Sequence, residues 1–121
     1  MSKNQMKKLL LILITPFILK SQEVIESTIL HNDLNRSYIL YIPNSYSETT
    51  TTSLVINLHG YSSNAGQQMI YSNFYPIADD EGFILVHPEG TVDDNGFQFW
   101  NSNSGIISEV DDIEFLSTLI D

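Results

Sequence analysis

The segment Leu54-Val55-Ile56-Asn57-Leu58-His59-Gly60-Tyr61 decides how the rest of the chain is read. Its apolar residues form a short unbroken run instead of recurring every three or four positions, and the run stops at a glycine. A run of this length with branched residues predicts a buried β-strand over residues 53–59. Small residues from 61 to 66 then predict a turn. Beyond it, Met69, Ile70, Phe74, Ile77 and Ala78 fall near helical spacing over residues 67–80, with Pro76 expected to kink or interrupt the helix. Gly82 punctuates that segment, and Phe83-Ile84-Leu85-Val86-His87 predicts a second buried strand closed by Pro88-Glu89-Gly90. Two such strands joined through a helix run parallel.

Upstream, Ile25, Ile29 and His31 precede a polar Asn32-Asp33-Leu34-Asn35 stretch, and Tyr38-Ile39-Leu40-Tyr41-Ile42 follows it. This predicts an antiparallel hairpin over residues 23–43, ended by Pro43 because proline removes a ladder donor. Residues 44–53 are a Ser/Thr-rich loop. Downstream, a long polar loop over residues 91–109 leads to Val110, Ile113, Phe115, Leu116, Leu119 and Ile120, spaced as an amphipathic helix. Asp111, Asp112 and Glu114 occupy its first turn, where acidic groups suit the positive end of the helix dipole. The order of elements predicts an α/β fold in which an antiparallel hairpin leads into a parallel sheet with crossover helices. No strand follows the last helix to complete its crossover. Residues 23–121 are therefore expected to be the N-terminal part of a larger α/β domain.

The first 22 residues read differently. Lys3, Lys7 and Lys8 precede an apolar run from Leu9 to Leu19, interrupted at Thr15 and Pro16. That layout predicts a secretory signal peptide over residues 1–22 and an extracytoplasmic or secreted mature chain. The run falls short of the roughly 20 apolar residues that span a bilayer, so no retained membrane anchor is expected. Without the leader, Arg36 is the one Lys or Arg facing fifteen Asp and Glu residues. Nucleic-acid binding needs clustered cations to neutralise phosphates, and this composition excludes it. The absence of cysteine excludes disulfides, a thiol nucleophile and thiolate zinc sites.

A strand that runs into His-Gly suggests a chemical use for the next amide. Gly60 is expected to let the backbone turn sharply, so that Tyr61 N–H faces a substrate as an oxyanion-hole donor. One such donor is worth about 3–4 kcal/mol of barrier. The Tyr61 phenol is a candidate for lining the acyl pocket, and an ordinary strand-ending turn is the competing reading. Ser62 and Ser63 read as turn-forming residues, and His59 as a structural residue at the strand end. His31 and His87 read as strand residues. Trp100 and Phe97 lie in the loop after the second parallel strand, on the side where ligand sites of α/β sheets cluster. Contact with an acyl group and packing over the sheet edge are both open to them. Asp93, Asp94, Asp111 and Asp112 supply oxygen ligands of the kind calcium takes, but their spacing matches no calcium loop, and helix capping accounts better for Asp111 and Asp112.

Taken together, Arg36-Ser-Tyr-Ile-Leu-Tyr-Ile-Pro43, Leu58-His-Gly-Tyr-Ser-Ser63, Asp80-Glu-Gly-Phe-Ile-Leu-Val-His-Pro-Glu-Gly90, Phe99-Trp-Asn101 and Val110-Asp-Asp-Ile-Glu-Phe-Leu116 resemble the polyhydroxybutyrate depolymerase and feruloyl esterase family in order and spacing. The resemblance covers residues 29–121. It implies a secreted α/β-hydrolase esterase that works through a Ser, Asp and His triad, with the serine on a nucleophile elbow a few dozen residues beyond the Val110–Leu116 match. No Gly-x-Ser-x-Gly occurs in the chain, which reads as cut off before that elbow. The implied substrate is an ester, polymeric or derived from plant cell walls, with feruloyl, acetylxylan and polyhydroxyalkanoate esters all open. No metal or organic cofactor is implied. The alternatives are a peptidase on the same fold, or a non-catalytic secreted binding module or degenerate paralogue.

Overall fold

The computed structural model describes residues 22–102 and 108–121. The expected leader, apart from Gln22, lies outside the described residues. Strands β1 (Glu23–His31), β2 (Leu34–Ile42) and β3 (Leu54–Ile56) are followed by helices α1 (Ala65–Ser72) and α2 (Tyr75–Glu81). Then come β4 (Ile84–Pro88), β5 (Thr91–Val92), β6 (Gln98–Phe99) and helix α3 (Asp112–Ile120). Four strands form one sheet in the order β1-β2-β4-β3, and β5 and β6 pair separately. The fold is α/β with a mixed sheet: β1–β2 and β2–β4 are antiparallel, while β3–β4 is the parallel pair. Among the described residues, no helix is long and apolar enough to cross a membrane.

The hairpin turn is tighter than the polar stretch suggested. Leu34 and Asn35 pair with His31 and Leu30, leaving only Asn32 and Asp33 in the turn, at φ 47° and 62°. Two consecutive left-handed residues make the turn whose twist suits a two-residue hairpin, and Asn and Asp tolerate that region better than other side chains. The expected single helix is two. Asn73 ends α1 in the left-handed conformation at φ 38°, and Pro76 sits in the first turn of α2, where a missing N–H breaks no helical bond. Burial also divides the two parallel strands. Residues 85–88 of β4 are buried on both faces, whereas β3 is only three residues long and forms a sheet edge, with Leu54 36% and neighbouring Leu58 40% exposed. The expectation of a buried strand over residues 53–59 is corrected accordingly.

Alternation along the strands separates two packed faces. On one, Tyr41, Leu85 and Ala78 of α2 form the core with Val55, Tyr75 and Phe83 around them. Tyr41 stacks on Tyr75 at 4.0 Å between centroids, and its hydroxyl donates to Asp79 at 2.7 Å. Burial, with the carboxylate adding to it, pushes that phenol up to about 12. His87 lies on the same face, fully buried with neither ring nitrogen hydrogen-bonded. Burial pushes its pKa down, partly offset by the nearby Asn57 backbone, so the ring favours its neutral form.

The other face carries α3. Asp111 caps it by accepting Glu114 N–H at 2.8 Å, as the acidic first turn predicts. Asp112 instead turns inward. Its Oδ1 meets Arg36 Nη2 at 2.7 Å, with Arg36 3% and Asp112 5% exposed. The guanidinium also donates to Glu89 C=O at 3.1 Å and lies 3.9 Å from the centroid of the buried Phe115 ring. Along the same helix, Asn32 donates to Glu114 in the first turn and Thr118 near the C-terminal end meets His31, so the hairpin tip is tied to α3.

Removing one partner of this buried pair leaves the other charge unpaired. Arg36→Met or Asp112→Leu alone should cost about 3–5 kcal/mol in urea unfolding, and the double replacement should cost less than the sum of the two. Two single variants that unfold at the wild-type midpoint would contradict this account of the packing.

Candidate functional site

Because β3 and β4 are parallel neighbours, the segments leaving their C-terminal ends lie side by side. His59-Gly60-Tyr61 leaves one strand and Glu89-Gly90 the other, and they meet through His59. This imidazole is buried; its Nε2 accepts Gly90 N–H at 2.9 Å and its Nδ1 lies 2.8 Å from Gly60 C=O. Those partners assign the ring proton to Nδ1. Glu89 Oε1 also approaches Nε2 at 2.9 Å but completes no hydrogen bond, so the partner of that nitrogen is the Gly90 amide. Glu89 works elsewhere: its Oε2 accepts Ala65 N–H at the start of α1, and its own N–H reaches Ser37 C=O.

The turn after His59 is closed by its own backbone. Ser63 N–H donates to Gly60 C=O at 3.1 Å, and Ser62 N–H donates to Gln98 C=O of β6 at 2.8 Å. Ser62 adopts the left-handed conformation at φ 61°, and the Ser63 hydroxyl donates to Gln67, so both serines hold the turn. Among the described residues, no acceptor takes the Tyr61 N–H. Tyr61 is 54% exposed, donates its phenol proton to Asp93 Oδ2 at 2.7 Å, and tilts against Phe97 at 5.8 Å between centroids. Asp93 lies in the β5–β6 connection and also accepts Asn95 and Phe97 N–H. The Phe97 amide first, and the Tyr61 hydroxyl after it, hold the Asp93 carboxyl below its usual range, while that same hydrogen bond pushes the Tyr61 phenol up.

Trp100 is brought to the turn from behind. Its indole N–H donates to His59 C=O at 3.0 Å and its ring tilts over the imidazole at 5.2 Å, so it packs against the strand end. The four aspartates weighed as calcium ligands hold separate posts: Asp93 on Tyr61, Asp111 at the α3 cap, Asp112 on Arg36, and Asp94 in the β5–β6 connection.

The physical reason given for Gly60 is corrected. A β-carbon there would meet nothing within 4 Å, and its φ lies outside the left-handed region, so the turn does not require glycine. The glycine that geometry demands is Gly90, where a β-carbon would collide with the Phe99 carbonyl and stand 3.2 Å from His59 Cε1. From periodicity alone, Pro88-Glu89-Gly90 reads as the end of a strand. Its one available signal was a Glu-Gly pair at the C-terminal end of a buried parallel strand, the place where α/β sites assemble. No family model matches this chain, and no curated protein does.

The two glycines should separate cleanly in urea denaturation. Gly60→Ala is expected to hold or raise stability, by up to about 1 kcal/mol, because it restricts the unfolded chain. Gly90→Ala should lose about 1–3 kcal/mol through backbone overpacking. Equal effects at both positions would show that the His59–Gly90 approach is looser than described.

Proposed function

We propose that the chain is part of an exported serine carboxylic-ester hydrolase of the α/β-hydrolase type, in which Tyr61 N–H is one of two oxyanion donors. The observation that carries this reading is the Tyr61 amide in the connection between β3 and α1, which no acceptor among the described residues takes. In that fold the same connection supplies one donor, and the amide after the nucleophilic serine supplies the other. Attack on an ester carbonyl turns its oxygen into an oxyanion, and a donor about 3 Å from that oxygen stabilises the transition state without reorganising. The serine and its Asp and His partners belong to sequence beyond these 121 residues, which contain no Gly-x-Ser-x-Gly. The Tyr61 ring and Phe97 form one wall of the acyl pocket, with Trp100 buttressing the turn behind them.

The test extends the reading frame past codon 121 and assays the product on p-nitrophenyl acetate. Turnover blocked by a serine-directed organophosphate is expected. Tyr61→Ala keeps the main-chain donor and should lower kcat less than about tenfold. Tyr61→Pro removes it and should cost about 10²- to 10³-fold while circular dichroism stays native. An extended frame without a serine elbow, or a folded Tyr61→Pro enzyme of unchanged kcat, overturns the proposal.

A further inference from the structure

We infer that His59 is a positioning residue whose Nδ1–H aims the Gly60–Tyr61 peptide, and with it the Tyr61 N–H, before any substrate arrives. The inference rests on the esterase reading for its consequence but not for its geometry. A trans peptide is planar, so its C=O and N–H point in opposite directions. Gly60 C=O accepts from His59 Nδ1 at 2.8 Å and from Ser63 N–H at 3.1 Å. With the carbonyl held on that side, the Tyr61 N–H must face away from both donors, toward the exposed side of the turn. On the side where a Gly60 β-carbon would stand, no described residue outside the chain neighbours comes within 4 Å, so no contact there fixes the peptide. A glycine open on that side rotates its peptide more easily than a substituted residue, and these two hydrogen bonds restrain its carbonyl.

The imidazole is fixed for this task. Gly90 N–H points at Nε2 from 2.9 Å, and moving the ring proton to Nε2 would set two donors against each other. That amide therefore selects the tautomer whose Nδ1–H reaches Gly60. Trp100 donates to the His59 carbonyl at 3.0 Å and covers the ring at 5.2 Å, so neither the backbone nor the side chain of His59 is loose. Gly90 in turn approaches too closely for any side chain. The arrangement runs from the end of β4 through an imidazole to the orientation of one amide.

Nuclear magnetic resonance of the isotope-labelled protein tests this without turnover of any ester. Long-range nitrogen–proton correlation in the wild type should show His59 protonated at Nδ1 and bare at Nε2; the reverse pattern overturns the inference outright, whatever becomes of any variant. The Tyr61 amide should have an order parameter near about 0.85 in the wild type, falling below about 0.6 in His59→Gln, whose amide group occupies the Nε2 position. His59→Asn places an N–H at the Nδ1 position and should restore the order. Retained order in His59→Gln, or equal loss in both variants, assigns His59 to packing alone and overturns the inference. Failure of ester turnover in an extended chain would leave these results untouched, so the two readings fail separately.

Discussion

Burying a guanidinium costs several kcal/mol unless its charge and its N–H groups are met, and in residues 23–121 only Arg36 imposes that constraint. The chain meets the charge from three directions, the Asp112 carboxylate from α3, the Glu89 carbonyl from the end of β4 and the face of Phe115, while Nη1 finds no partner among the described residues. Each partner belongs to an element that must arrive in register for the charge to be satisfied. Asp112 also accepts Asn101 N–H at 2.6 Å, while the Asn101 side chain donates to the Val110 and Ser108 carbonyls. One ion pair thus fixes α3, β2, the end of β4 and the segment after β6 relative to one another.

That constraint reaches the candidate site through Glu89. Its carbonyl holds Arg36, its amide holds β2, and its carboxylate holds the first amide of α1, so the Gly90 amide that follows is fixed in space. Gly90 sets His59, and His59 with Ser63 sets the Gly60–Tyr61 peptide. Individually these hydrogen bonds contribute about 1 kcal/mol each to stability. Their value is directional, because each orients the group that makes the next. The β5–β6 hairpin closes the outer side, with Gln98 on Ser62 and Asp93 on the Tyr61 phenol.

The hairpin, the parallel pair and the capped last helix were legible because each rests on a periodic pattern. Ile25, Ile29 and His31 share one parity, Phe83 to His87 is continuous, and Asp111 precedes an amphipathic run. The misses arose where one residue's neighbours decide. The Ser53 to His59 run reads the same at a sheet edge as in its middle, and Pro76 reads the same at a kink as at a helix start. Tyr61 was legible as a turn residue after a strand. Gly60 and Gly90 are indistinguishable in sequence, and only the position of Phe99 makes the second obligatory. A lone arginine among fifteen carboxylates was a signal that pointed inward, yet its partner, 76 residues away, is not readable from spacing.

The central claim is that the fold presents the Tyr61 amide, and not its phenol, to a developing oxyanion. A crystal structure of the proposed longer protein, inactivated at the proposed serine by a small phosphonate, measures this directly because the tetrahedral adduct carries its oxygen where the transition state does. The account predicts that oxygen about 3 Å from Tyr61 N, with the phenol still on Asp93. A phosphonyl oxygen held by the Tyr61 hydroxyl, or turned away from the Gly60–Tyr61 peptide altogether, would contradict it.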